Sequence, residues 1–277
     1  MSETKLIELC KTNSLITPET IKELKNLKDR YKKTALMYLC EFNKNITSEL
    51  IKEFKDEIGT QDKYGETALM CLCKNPSVTP ELIRELKDEI GIQSGCKYSA
   101  LMCLCQYNSN ITLDIIHILK DEIGMRNEDG ETALMCLCRC NSNITLDIIQ
   151  ELKDEIGIQN KRYNTALIYL CQYNENISLE LIRELKDEIG IQNDDGTTAL
   201  MNLCRYNTLI TPELIHELKD EIGLKDKDGN TALIYLCIYN NIYRLTPEMI
   251  IELKNEIEIQ NDYGKTAYDY YVAHTLQ

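Results

Sequence analysis

Thr67-Ala68-Leu69-Met70-Cys71-Leu72-Cys73 decides the fold, because the chain keeps returning to it. Near-copies begin at Thr34, Thr67, Ser99, Thr132, Thr165, Thr198 and Thr231, at intervals of 33, 32, 33, 33, 33 and 33 residues. A fixed period of this length marks arrays in which one supersecondary unit cannot bury its apolar face alone and stacks on the next. The reading is an all-α helix-turn-helix solenoid, a single array over residues 1–277 without a separate globular core. Two Phe and no Trp leave Leu, Ile, Met, Ala and Cys to fill the interior.

The copy from Asn193 to Lys225 shows how one unit works. Asn193-Asp194-Asp195-Gly196 is a polar turn in which Gly supplies a positive φ. Thr198 opens a short helix whose apolar side is Leu200, Met201, Leu203 and Cys204, with Ala199 permitting close approach. After a loop from Asn207 to Ile210, Thr211-Pro212-Glu213 opens a second helix carrying Leu214, Ile215, Leu218 and Ile222 inward. Gly223 releases the chain towards the next turn. The ends depart from the pattern as caps should: an N-terminal cap over residues 1–28, full repeats over 29–260 and a C-terminal cap over 261–277. The first cap keeps Leu6, Leu9 and Cys10 but puts Lys5 at the alanine slot, and the last has Tyr268-Asp269 for Leu-Met and stops after one helix. Nine units are expected, the second full repeat one residue short near Pro76 and the seventh two residues longer near Tyr243.

In length and in order of features the repeat resembles the ankyrin repeat. The resemblance rests on the turn at Asp62–Gly65, Asn127–Gly130, Asn193–Gly196, Asp226–Gly229 and Asn261–Gly264, followed by Thr-Ala-Leu and two antiparallel helices. It covers essentially the whole chain. Ala stands where the family has Pro, Met or Ile where it has His, and the Gly-His pair between the helices is missing. Ser94-Gly-Cys-Lys97 and Lys161-Arg-Tyr-Asn164 lack Gly at the usual turn position, which bears on loop geometry. The resemblance implies that a partner meets the turn tips and the outer face of the first helix, the concave side of such arrays.

Two slots on the first helix, four residues apart and so on one face, vary inside an otherwise strict repeat. The first holds Tyr38, Cys71, Cys103, Cys136, Tyr169, Asn202, Tyr235 and Tyr270. The second holds Phe42, Asn75, Tyr107, Cys140, Tyr173, Tyr206 and Tyr239, and the turns add Tyr31, Tyr64, Tyr98 and Tyr263. These slots gather 12 of the 16 tyrosines, which suits a surface where a large ring with a hydroxyl gives contact area at low entropy cost. Arg139, Arg162 and Arg205 lie nearby and could pair with partner carboxylates. The expected protein-binding set is therefore Tyr31, Tyr38, Phe42, Tyr64, Tyr107, Arg139, Arg162, Tyr169, Tyr173, Arg205, Tyr206, Tyr235 and Tyr239. The competing reading is that the tyrosines pad the ridge between helices. Lys-Asp-Glu, recurring after the second helix, reads as a solvated convex surface.

The remaining composition narrows the function. A net charge of −14 disfavours phosphate backbones and anionic membranes. The Met1–Lys11 start has no apolar signal core, and no apolar run approaches membrane-spanning length. Eight of the thirteen cysteines, Cys10, Cys40, Cys73, Cys105, Cys138, Cys171, Cys204 and Cys237, recur at one slot per repeat, too far apart between neighbouring repeats for disulfides, so reduced buried thiols and a cytoplasmic or nuclear location are expected. The sequons at Asn45, Asn110, Asn143 and Asn176 read instead as helix starts capped by Thr47, Thr112, Thr145 and Ser178. His117, His216 and His274 form no triad, the Cys-x-Cys pairs point apart on a helix, and no phosphate loop occurs. The expectation is a monomeric, non-enzymatic scaffold or adaptor with no metal or cofactor, binding a protein or peptide. The alternatives are an inhibitor or host-directed effector that blocks a partner, and a structural spacer.

Overall fold

The computed structural model describes residues 16, 18–25, 27–239 and 245–275. The expected N-terminal cap positions Lys5, Leu6, Leu9 and Cys10, and the insertion near Tyr243, lie outside them. The described residues form 16 α-helices and no strand: α1 (Pro18–Leu24), α2 (Ala35–Phe42), α3 (Ser48–Glu53), α4 (Ala68–Lys74), α5 (Pro80–Glu85), α6 (Ala100–Tyr107), α7 (Leu113–Ile118), α8 (Ala133–Cys140), α9 (Leu146–Glu151), α10 (Ala166–Tyr173), α11 (Leu179–Glu184), α12 (Ala199–Tyr206), α13 (Pro212–Glu217), α14 (Ala232–Tyr239), α15 (Pro247–Glu252) and α16 (Ala267–Thr275). They fall into two compact units, residues 1–136 and 137–277. Each unit is a helical-repeat solenoid. In the first, α2, α4 and α6 pack side by side, as do α3, α5 and α7. In the second, α10, α12, α14 and α16 form the corresponding row, and α9, α11, α13 and α15 the other.

The helices are six to nine residues long, well below what is stable alone in water, so packing must hold them. The Ala-Leu-Met(Ile)-x-Leu-Cys run is buried in every full repeat. Each run follows a Thr or Ser, and Thr34, Thr67, Ser99, Thr165 and Thr198 are extended there. Thr67, Ser99, Thr165 and Thr198 accept from the backbone N–H three residues on, at 3.2–3.4 Å. The second helices use Thr47, Thr79, Thr145, Ser178, Thr211 and Thr246 in the same way. Thr112 stands at the equivalent position without a side-chain cap bond.

Lys-Asp-Glu is the main correction to the sequence reading. It forms a 3₁₀ turn directly after the second helix, and only its Lys and Asp are exposed. The Glu swings inward. Glu57, Glu89, Glu122, Glu155, Glu188, Glu221 and Glu256 are all buried. In the second unit Glu188 accepts from the Leu167 N–H at 2.6 Å, in the first turn of its own repeat's first helix. Its other oxygen accepts from the Gly157 N–H of the preceding repeat at 2.8 Å. Glu221 does the same with Leu200 and Gly190, and Glu256 with Leu233 and Gly223. In the first unit Glu89 ties Leu69 to Gly59, and Glu122 ties Leu101 to Gly91. A carboxylate at a helix N-terminus is favoured by the dipole and by unpaired N–H groups. Burial works against it and is the larger effect, raising the Glu89, Glu122, Glu188, Glu221 and Glu256 carboxyls above the ordinary range, while the backbone N–H bonds pull them back down.

Two further ladders join repeats. An Asn closes the first helices from α2 to α12, and where its amide reaches back it joins repeats: Asn108 donates to Asn75 O and Asn75 to Asn43 O, and in the second unit Asn207 donates to Asn174 O and Asn174 to Asn141 O, at 2.8–3.1 Å. Along the turns, backbone bonds run from Lys63 to Tyr31 and from Gly95 to Tyr64, and from Asp194 to Arg162 and Lys227 to Asp195. The turns that lack Gly keep the left-handed backbone: Lys32, Lys97 and Tyr163 adopt φ near +60° where Gly65 and Gly196 have +76° and +77°.

Candidate functional site

The two variable slots on the first helix have different fates. In the first slot, Tyr38, Tyr169 and Tyr235 are only 7, 8 and 7% exposed, so the expectation that they face a partner is overturned. Cys71, Cys103, Cys136 and Asn202, at the same slot, are buried too. Residues four apart share a side of a helix but not its depth: this slot lies under the turn, and the other at the helix's open C-terminal end. The buried rings brace the turns through their hydroxyls. Tyr38 donates to Asp29 at 2.8 Å, Tyr169 accepts from Asn160 at 2.9 Å and Tyr235 donates to Asp226. Burial, and then the Asp226 carboxylate, push the Tyr235 phenol well above its ordinary value. The turn residue is thus braced from outside while its own side chain accepts from backbone N–H groups two and four residues on, as Asn160 does from Arg162 and Asn164.

The second slot is the exposed one. Tyr173, Tyr206 and Tyr239 are 51, 43 and 52% exposed, and Tyr107 is exposed in the first unit. Phe42 and Tyr31 are half-buried, and Tyr64 is exposed at its turn. Asn75 does not belong in this slot. It closes α4 and carries the asparagine ladder, so the residue missing from the short repeat is the counterpart of Phe42. Tyr163, exposed at a turn tip, was not among the expected residues; the missing glycine there hid the tip in the sequence.

Cations lie over these rings. In the second unit Arg205 on α12 places its guanidinium 5.0 Å from the Tyr206 ring, 5.3 Å from Tyr235 and 4.8 Å from Tyr239. Tyr235 and Tyr239 stack at 6.0 Å, and the Arg139 guanidinium lies 5.5 Å from Tyr169, which is tilted against Tyr173. The Arg205 Nε is buried with no hydrogen-bond partner among the described residues, and no carboxylate pairs with this guanidinium there. Arg162, by contrast, is paired to Asp194 and Asp195 of the next turn. Beside Tyr173, a cavity of about 260 Å³ opens among Arg139, Cys140, Asn141, Ser142 and Asn174–Asn176. In the first unit Lys33 lies over Tyr38 and Phe42 and is paired with Glu41, while Tyr31 and Tyr64 stack at 5.8 Å.

No model of a known protein family matches the chain, and no curated protein matches its sequence. The twelve described cysteines are free thiols; Cys96 and Cys140 are exposed and the other ten buried. Burial raises the thiols of Cys40, Cys71, Cys73, Cys171 and Cys204, and pushes Cys103 to about 12 and Cys237 to about 11, which keeps them protonated and inert. Among the described residues no three His, Cys, Asp or Glu side chains are grouped to hold a metal ion. No helix of the described residues is long and apolar enough to cross a membrane.

Proposed function

We propose that the chain is an ankyrin-type interaction scaffold that binds a protein or peptide across the ends of its first helices. The supporting observation is Arg205, held over three tyrosine rings and without a carboxylate partner among the described residues of a chain of net charge −14. A guanidinium that has given up part of its hydration to aromatic faces gains most from a charged acceptor arriving with a partner. Tyr173, Tyr206 and Tyr239 supply large half-exposed rings beside it. The preferred ligand is a peptide segment with a carboxylate for Arg205 flanked by apolar or aromatic side chains. The ten buried thiols fit a reducing compartment, cytoplasm or nucleus.

The test selects peptides from a displayed library on the whole chain and measures their affinity for variants. Tyr173→Ala with Tyr206→Ala, and separately Arg205→Ala, should weaken selected carboxylate-bearing peptides by about thirtyfold, equivalent to about 2 kcal/mol. Tyr173→Ala with Tyr206→Ala should leave the unfolding midpoint nearly unchanged, because exposed substitutions cost about 0.5 kcal/mol or less. Tyr235→Phe should do the reverse, costing about 1–2 kcal/mol of stability through its lost bond to Asp226. Peptides that bind all these variants equally well would remove this face from the function.

A further inference from the structure

At Tyr38, Tyr169 and Tyr235 the repeat builds the same bed for a ring. A cation lies over each: Lys33 at 5.2 Å, Arg139 at 5.5 Å and Arg205 at 5.3 Å from the ring centre. A second ring stands four residues on, Phe42 at 6.1 Å, Tyr173 at 5.9 Å and Tyr239 at 6.0 Å. The side chain nine residues back, at the start of the turn, meets the hydroxyl: Asp29, Asn160 and Asp226.

The third full repeat, in the first unit, has this bed without its ring. Cys103 stands at the slot and is buried. Tyr107 lies four residues on and Ser94 nine residues back. Lys74 of the preceding repeat supplies the cation, 5.7 Å from the Tyr107 ring and paired to Glu66 at 2.6 Å. Lys74, Ser94, Cys103 and Tyr107 line a cavity of about 220 Å³, together with the exposed Tyr64 and Cys96. An apolar cavity of about 150 Å³ already takes benzene, so the space suits one phenol ring. The Ser94 Oγ accepts from the Tyr98 N–H at 3.0 Å, which leaves its own proton for an acceptor in the cavity. The slot's other cysteines in this unit have charged neighbours of their own. Lys33, Glu41 and Glu66 act on the Cys71 thiol, and in the repeat of Cys136 the buried Glu131 takes the Asn127 amide at 2.9 Å.

We propose that this cavity is a binding pocket for a phenol ring, supplied by a ligand where other repeats supply their own tyrosine. The ring lies under the Lys74 ammonium, which is attracted to its face, and beside Tyr107. Its oxygen accepts the Ser94 proton. The phenol belongs either to a tyrosine of a peptide or to a small free molecule; the chemistry is the same and the probes below separate the two. The pocket uses none of the residues around Arg205, so either assignment can fail alone.

The probes are ortho-fluoro-p-cresol and a blocked glycine–fluorotyrosine–glycine peptide, each titrated into the whole chain and followed by fluorine NMR. Saturable binding is expected, tighter for the peptide if the ligand is a tyrosine side chain and tighter for the cresol if it is a free phenol. Cys103→Tyr builds the repeat's own ring into the cavity and should weaken binding about tenfold or more, as should Tyr107→Ala. Tyr173→Ala with Tyr206→Ala should leave it unchanged. The analogue of the better probe without its hydroxyl should bind about fivefold more weakly, the worth of one hydrogen bond, and Ser94→Ala should erase that difference. Bound probe should also slow thiol labelling at Cys96 and not at Cys140. Circular dichroism checks folding; should Cys103→Tyr not fold, Tyr107→Ala, a change at an exposed residue, and the protection of Cys96 decide. Absence of saturation by both probes, or binding that ignores Tyr107→Ala and leaves Cys96 labelling unaltered, overturns the proposal.

Discussion

Glu188→Ala removes the carboxylate that joins two repeats of the second unit, and its cost can be worked from the bonds lost. The Leu167 N–H, at 2.6 Å, lies on a fully buried residue and has no water to turn to, so stranding it costs about 1–3 kcal/mol. The Gly157 N–H sits on an exposed residue and can rehydrate, adding about 0.5–1 kcal/mol for the exchanged bond. The sum is about 1.5–4 kcal/mol, similar to removing a core leucine such as Leu170. Glu188→Gln separates charge from hydrogen bonding. It keeps one acceptor and the volume, and it removes the charge whose desolvation raises the carboxyl. We expect it to cost roughly half as much as Ala, about 1–2 kcal/mol at pH 7. Urea unfolding gives the energies, and hydrogen exchange shows where protection is lost. The loss should centre on residues 155–172, because stacked repeats couple to their nearest neighbours. A Glu188→Ala protein within about 0.5 kcal/mol of the parent would refute the reasoning, since that is the range of an ordinary surface change.

The same carboxylates set a pH dependence. A raised folded value means the native state holds protons that the unfolded chain has released, so this contribution is complete below the ordinary Glu value and is lost as pH rises through the raised one. Glu81, Glu180 and Glu213, lowered by their own backbone N–H and the capping hydroxyl, lose stability as pH falls through their depressed values. Urea midpoints should therefore peak on the acid side of neutrality, above the ordinary Glu value of about 4.3, and a steady decline from pH 7 to 5 would contradict this. Lys97→Gly relieves a positive φ of 62° on a lysine and should raise stability by about 0.5–1 kcal/mol in thermal or urea unfolding; a loss would mean the turn is not strained. A thiol reagent on the native protein should label Cys96 and Cys140 first, and the ten buried cysteines only on unfolding, as resolved by peptide mass mapping.

What the sequence revealed and what it hid divide along physical lines. The helix pair, its caps and the buried cysteine column were legible because apolar period and capping residues act locally. The depth of the tyrosine slots was not. Tyr169 and Tyr173 look alike in sequence, and only the neighbouring turn, with Asn160 reaching the Tyr169 hydroxyl, distinguishes them. The buried glutamates were hidden because Lys-Asp-Glu is a solvent composition. The clue was their recurrence 20 to 23 residues after the Leu whose N–H they take, as from Leu69 to Glu89, from Leu167 to Glu188 and, across the lengthened repeat, from Leu233 to Glu256. Arg205 was expected near the face, but its bed of three rings depends on Tyr235 and Tyr239 from the next repeat.

The single missing residue before Asn75 shows how this architecture tolerates change. α4 simply stops one residue early, at Lys74, and Asn75 still reaches Cys40 and Asn43 of the repeat behind it. The error in phase is absorbed at the spot where a side chain otherwise meets solvent, and the frame downstream resumes its beat at Thr79. Such an array separates what must be copied faithfully from what can be rewritten. Changes of residue, or even of length, at the tips of the first helices alter what the surface offers without disturbing the joints between units. A lineage could thus exchange one binding preference for another by editing half a dozen isolated letters, with no refitting of the interior.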